Sequence, residues 1–363
     1  MYRPILSFLL FFGLETYPIL EMKRTKMVGY ICIPMFYVVS VGLAMTGILL
    51  VDGILRGLTQ YSLSAFATMY VGFAFRWILQ RNGKAIFDLL LTMCEFKGVS
   101  PKKVALTRKV LYTLSVLVVM VQLLALVLLL QPLLGNLNSK VNASKVFTGY
   151  STIFKEVQLG VVAKLWILSV VLMYVHNVIP FCLFGILYAV ISWHLREILK
   201  HFKGSLRLSH PKLSECSETY NRISSLVIYA DKTLNSLMGI SVFYISCALY
   251  FTVFNVLPDR LSITHNGIIS TLNIIFMGIF LYGMLYFASE IPTIVADISR
   301  VIHSMVADND SIMQKVELLI YVNQGIFLSV GQMVIIRKGL FLVIIGTIAT
   351  YCILINSFPK KSM

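Results

Sequence analysis

Charged side chains are scarce in this chain. Asp, Glu, Lys and Arg make up 13% of its 363 residues, while 58% are hydrophobic. Soluble domains average roughly 25% charge, so there is too little polar surface here to cover a water-facing globule of this size. Cysteine is sparse and scattered: Cys32, Cys94, Cys182, Cys216, Cys247 and Cys352 include no CxxC pair, which argues against a disulfide framework and a zinc site. No Pro-, Gly/Ser- or Gln-rich stretch marks a linker, and no repeat of 20–50 residues marks a solenoid. Acidic residues are few, 16 against 31 basic ones. The basic residues lie between apolar runs, so their excess reads as membrane topology and not as a nucleic-acid surface.

What is present is long apolar runs. A bilayer core takes about 20 apolar residues as a helix, and seven segments meet that requirement: 28–51, 58–79, 110–134, 159–192, 237–257, 267–290 and 339–357. The expected fold is therefore all-α, a polytopic membrane protein with seven transmembrane helices. The second span is the weakest, interrupted by Gln60, Arg76 and several hydroxyls. The fourth is too long. Its 34 residues would reach about 50 Å as a helix, so "WHLREILKHF" continues the helix beyond the membrane. The opening "ILSFLLFFGL" lacks a small-x-small cleavage site and is followed by Glu15 and Pro18, which favours an interfacial helix over a cleaved signal peptide.

Basic residues orient the chain. With the N-terminus inside, 22 Lys and Arg lie in inner segments and 7 in outer ones, with Arg76 and Lys164 inside spans. This bias places the N-terminus in the cytoplasm and the C-terminus outside. The expected organisation is a cytoplasmic segment over 1–27, six spans over 28–290, a cytoplasmic connector with an anchor helix over 291–338, a last span over 339–358 and an outer tail over 359–363. The sequon at Asn142 falls in an outer loop and is a glycosylation candidate, whereas the one at Asn309 falls inside. Receptors that couple to G proteins also have seven helices but place the N-terminus outside, so this orientation argues against that class.

Catalytic chemistry finds little support. Asp52 and Glu290 sit at span ends, where snorkelling or capping explains them. His176, beside Asn177 and Pro180, reads as a packing residue, and His303 with Asp308 forms only a loose H-x4-D pattern. No catalytic residue, metal or cofactor is expected. In the connector, "DNDSIMQKVELLIYVNQ" begins with Asp310 or Ser311 as N-cap, and Ser311 with Gln314 makes a capping box. Ile312, Val316, Leu319 and Ile320 follow at helical spacing. That apolar face needs a partner: the overhanging end of span 4, other copies of the chain, or the lipid surface.

The last span carries a polar stripe. At 100° per residue Val343, Thr347, Thr350, Leu354, Ser357 and Phe358 share an arc of about 100°, with Ile344, Ile345, Ile348 and Ile355 opposite. Such a stripe serves either as interhelical glue, through hydroxyl hydrogen bonds, or as the lining of a narrow pore.

The segment "TYCILINSF" resembles the C-terminal signature of insect gustatory receptors: Thr-Tyr, a hydrophobic stretch, then Gln-Phe. Thr350, Tyr351 and Phe358 match and Cys352–Ile355 fill the stretch, while Asn356 is polar and Ser357 replaces the usual Gln. The preceding "SVGQMVIIRKGLFLVIIGTIA" also resembles the family's approach to its last helix. The resemblance implies a ligand-gated cation channel, a homo- or heterotetramer in the plasma membrane of sensory neurons. Its last helices would line a central pore through Thr347, Thr350, Tyr351, Leu354, Ser357 and Phe358, with the constriction at Leu354, Ser357 and Phe358. The cytoplasmic parts of helices 4 to 7 would anchor the subunits to one another, and a small-molecule tastant would bind in the outer half of each subunit. Outer-half aromatics and amides suited to such a ligand are Tyr61, Gln122, Trp166, Tyr250, Phe254 and Asn273. The alternatives are a seven-helix receptor signalling through a cytosolic partner such as a G protein, or a non-conducting accessory subunit.

Overall fold

Long helices dominate the computed structural model, which describes residues 59–96, 179–207, 213–256, 265–305 and 312–357, with scattered helical positions between 109 and 124. The N-terminal segment, the first span, most of the third, the first part of the fourth and the tail lie outside the described residues, as do Asn142, Asn309 and Ser311. In chain order the elements are α1 (Thr59–Glu95), α2 (Ile179–Leu206), α3 (Leu213–Val256), α4 (His265–Ser304), α5 (Ile312–Asn323), β1 (Ser329–Val330), β2 (Val334–Ile335) and α6 (Leu340–Ser357).

By length and composition α2, α3 and α4 are fit to cross a membrane. The helices run well past the expected spans. α1 continues through the second span to Glu95, α3 begins long before the fifth, and α4 extends through the first part of the expected connector. With 44 residues, α3 is about 66 Å long, against a hydrocarbon core of roughly 30 Å. Only the fourth span was expected to overhang, and α2 does carry "WHLREILKHF" as unbroken helix to Leu206.

Heptad seams hold the extensions together. On α3, Cys216, Tyr220, Ile223, Val227, Ala230, Leu234 and Leu237 are all buried, at alternating steps of four and three. On α4, Leu281, Met284, Ala288, Ile291, Val295, Ile298 and Ile302 repeat the spacing, and α2 does so with Tyr188, Ile191, Leu195, Ile198 and Phe202. A 3.5-residue apolar repeat keeps one seam facing a neighbouring helix. This spacing continues from the apolar spans into the charged extensions, so one core spans both environments.

Contacts between named residues fix the relative directions of the helices. α2 packs most extensively on α4, and Arg196–Glu290 and Lys203–Asp297 keep one sequence offset, so the two run parallel. α1 and α3 are antiparallel: Asn82 Nδ2 donates to the Thr233 carbonyl (3.2 Å) and Tyr229 Oη to the Ala85 carbonyl (3.3 Å). Parallel fourth and sixth spans and antiparallel second and fifth spans are what seven alternating crossings require.

Two polar groups within or beside the spans are turned towards protein. Glu290 does not snorkel; its carboxylate pairs with the Arg196 guanidinium, which also lies 5.7 Å from the Phe287 ring centroid. Arg76, within the second span, is 5% exposed. A charge at membrane depth is tolerated where it is turned into protein.

The face of α5 also differs from its reading. Leu318 and Val322 are buried and Leu319 is partly so, whereas Ile312, Met313, Val316 and Ile320 are exposed. Helical spacing identified an apolar stripe, but two apolar stripes share this short helix, and the chain itself covers the one centred on Leu318. Lys315 fixes the helix by donating to the His303 and Met305 carbonyls (3.2 and 2.5 Å), capping the end of α4. Gly325, at φ +69°, turns the chain after α5 in a left-handed conformation suited to glycine.

Candidate pore helix and its attachment

The last helix divides into a packed face and an open one. Phe341, Ile344, Ile345 and Ile348 pack against the core, and Cys352 is buried. Phe341 meets Tyr282 of α4 edge-on, with centroids 5.4 Å apart. The Cys352 thiol faces the Tyr250 carbonyl of α3 at 4.0 Å. Of the isoleucines opposite the polar stripe, Ile344, Ile345 and Ile348 thus pack within their own chain, and the Ile355 side chain is not described.

Val343, Thr347, Thr350, Tyr351 and Leu354 lie on the open face, together with Leu342 and Ile353. Among the described residues, the threonine hydroxyls bond within their own helix. Thr347 Oγ1 donates to the Val343 carbonyl (2.7 Å) and Thr350 Oγ1 to the Gly346 carbonyl (2.8 Å). Each hydroxyl is satisfied by the turn beneath it and still offers acceptor lone pairs outward. Ser357 is in the helix, but its side chain is not described, and Phe358 lies outside the described residues.

A hairpin carries α6. Val330–Met333 form a tight turn closed by Met333 N–H donating to the Val330 carbonyl (3.1 Å), with Gly331 and Gln332 at φ +59° and +62°. Two successive positive φ values are the sign pattern of a type I′ turn, whose twist matches an antiparallel pair. Ser329 pairs with Ile335 and Val330 with Val334, and Ile336 N–H adds a bond to the Leu328 carbonyl (3.0 Å).

Of the six expected ligand residues, Tyr250 has a described side chain; it is half-buried on α3. Tyr61, Phe254 and Asn273 fall in α1, α3 and α4 with side chains not described, and Gln122 and Trp166 lie outside the described residues. Sequence reading missed an aromatic cluster in the same bundle. Phe75 of α1 packs on Phe181 and Phe184 of α2 (centroids 4.6 and 5.5 Å), and Phe181 packs on Tyr244 of α3 (4.4 Å). These rings sit inside apolar runs, where aromatic identity carries no periodic signal. An open groove of about 520 Å³ is lined by Thr92, Phe96, Arg222, Leu226 and Tyr229, on the helix extensions and not in the expected outer half.

No family model and no curated protein sequence matches the chain. Solved structures do match. The insect olfactory receptor OR5 from Machilis hrabei superposes with a TM-score of 0.66 at 10% sequence identity, covering 98% of this chain and 97% of the receptor. The same receptor in complex with eugenol superposes with a TM-score of 0.70, at the same identity and coverage.

The fold is that of an insect olfactory receptor. The seven-helix membrane architecture expected from the sequence is thereby borne out, and so is the insect chemosensory receptor fold implied by the last-helix signature. At 10% identity the likeness to OR5 is one of fold.

Proposed function

We propose that this chain is a subunit of a ligand-gated cation channel, a gustatory chemoreceptor for small organic tastants in the plasma membrane of sensory neurons. The observation that carries the reading is the division of α6. Its uncharged stripe of Val343, Thr347, Thr350 and Leu354 faces away from the chain that bears it, while Ile344, Ile345 and Ile348 secure it. Four such stripes around an axis would make a narrow conduit in which apolar rings gate by dewetting and hydroxyls ease ion passage. The exposed stripe of α5, Ile312, Val316 and Ile320, is the surface through which copies would assemble. The Ser357 in place of the signature Gln gives the pore mouth a shorter polar group and so a different conductance or ion preference.

Ligands would enter the outer half, where Tyr250 and Phe254 lie on α3 and Asn273 on α4. OR5 has been solved with eugenol, so small aromatic alcohols and phenols are the first class to screen. Binding would act by its differential affinity for the open and closed tetramers. The test is current and calcium entry in cells expressing this chain alone, with tags reporting which terminus is outside. Ligand-evoked cation current with an external C-terminus is the expected result. Calcium release that needs a cytosolic partner, with no current, would favour the G-protein reading.

A further inference from the structure

The hairpin between α5 and α6 is fastened to α3 on three successive turns. Asp231 Oδ1 accepts the Ser329 backbone N–H (2.5 Å) and lies 3.0 Å from its hydroxyl, and Oδ2 lies at the same distance from that hydroxyl. One turn on, the Asn235 carbonyl accepts the Gly331 N–H (3.0 Å). One turn further, Gly239 meets the hairpin backbone: a Cβ there would lie 3.0 Å from the Gly331 Cα and 3.2 Å from its nitrogen. Ser329, Leu328 and Ile336 are buried at this junction. A two-stranded hairpin leaves outward donors unpaired, and burying one without a partner is destabilising. The carboxylate and the carbonyl of α3 meet that need, and glycine at 239 allows the approach.

The placement gives these residues a role beyond packing. α6 begins at Leu340, and its first turn starts from the hairpin, with Leu340 N–H donating to the Arg337 carbonyl (2.9 Å) and Val343 N–H to that of Gly339 (3.1 Å). Higher up, α6 touches α3 again where Cys352 faces Tyr250. The candidate pore helix is therefore held at two levels by the helix that carries the candidate ligand residues Tyr250 and Phe254.

We propose that Asp231, Asn235 and Gly239 clamp the foot of α6 to α3, so that α6 moves with α3. Asp231 and Gly239 are then positioning residues for gating. This rests on the channel reading only for its functional consequence; the mechanical coupling is a property of the chain itself.

The experiment uses the full-length protein in nanodiscs and in cells, and needs no ligand. Amide hydrogen exchange is followed over 326–345, with α5 and α2 as internal references. Asp231→Ala and Gly239→Val should speed exchange about tenfold or more in the hairpin and in the first turn of α6 while leaving α5 unchanged. Asp231→Asn, which keeps one acceptor oxygen, should fall between, and Ser329→Thr, which keeps the hydroxyl, should behave as the parent where Ser329→Ala does not. At matched surface expression, Asp231→Ala should also change the ligand-independent current several-fold. If the hairpin opens but the first turn of α6 exchanges as before, or α5 loosens with it, the clamp does not couple α3 to α6 and the proposal fails. Coupled exchange with a basal current unchanged in a conducting parent would reduce the clamp to packing and sink its gating role. A parent chain that conducts under no condition would count against the channel reading alone, with the exchange result still deciding the coupling.

Discussion

Lys203 on α2 places its Nζ 2.6 Å from Asp297 Oδ2 on α4, one heptad beyond the contact between Arg196 and Glu290. The two pairs differ in burial. The Arg196 and Glu290 side chains are 17% and 19% exposed, those of Lys203 and Asp297 23% and 32%. Both pairs are partly buried, and stranding a charge costs more the deeper it lies, between the roughly 0–1 kcal/mol of exposed pairs and the about 3 kcal/mol or more of fully buried ones. Glu290→Ala should therefore lower the melting temperature of the purified protein more than Asp297→Ala. The reverse order would mean that Arg196 finds another acceptor.

Gly185 gives a second stability test on the same interface. A Cβ there would overlap the Phe280 ring, which stacks on Phe276 with centroids 6.0 Å apart. Gly185→Ala should destabilise by about 1–3 kcal/mol through overpacking. Adding Phe280→Leu should recover part of that loss, and strictly additive effects would show that the ring is not the obstacle.

On α5 the two apolar stripes make opposite predictions. Leu318 is fully buried and Ile320 is 57% exposed. Leu318→Asp should disrupt folding of the chain itself. Ile320→Asp should leave the monomer folded and, if copies assemble through this stripe as proposed, shift the protein from the proposed tetramer towards monomer in native-size analysis. An unaltered oligomer would reassign that stripe to the lipid surface.

For the proposed pore, Leu354→Ser and Phe358→Ser should raise ligand-independent current several-fold, because in the proposed tetramer a ring of four hydroxyls would hold water where an apolar ring expels it. Ser357→Gln should change conductance or ion preference and leave ligand sensitivity alone. Ile348 packs against the core, so Ile348→Ser should reduce expression or assembly instead. If the stripe variants behave like Ile348→Ser, the stripe is interhelical glue.

Much of this was legible in the sequence, and the limits are physical. Hydropathy found the last helix, 339–357 expected against Leu340–Ser357 observed, because lipid-facing bulk and missing charge leave a plain signal. It stopped short on α3, because Glu215, Glu218, Arg222, Asp231 and Lys232 interrupt the apolar average around a seam at Tyr220, Ile223, Val227 and Ala230. A heptad count would have found those buried positions where a window average does not. Asp231 could not be singled out as a clamp, since its partner Ser329 is 98 residues away and nothing in either segment names the other. The turn was closer to hand: Gly331 sits between short β-branched stretches, and Gln332 in the left-handed region is what the sequence conceals.

The division of α6 also bears on how such a chain can diversify. Ile344, Ile345 and Ile348 are needed to keep the helix on its own subunit, whereas Val343, Thr347 and Thr350 contribute little to that attachment. Substitutions on the open face are therefore nearly silent for folding, typically within about 0.5 kcal/mol. Selection can rework the open face one residue at a time without passing through unfolded intermediates.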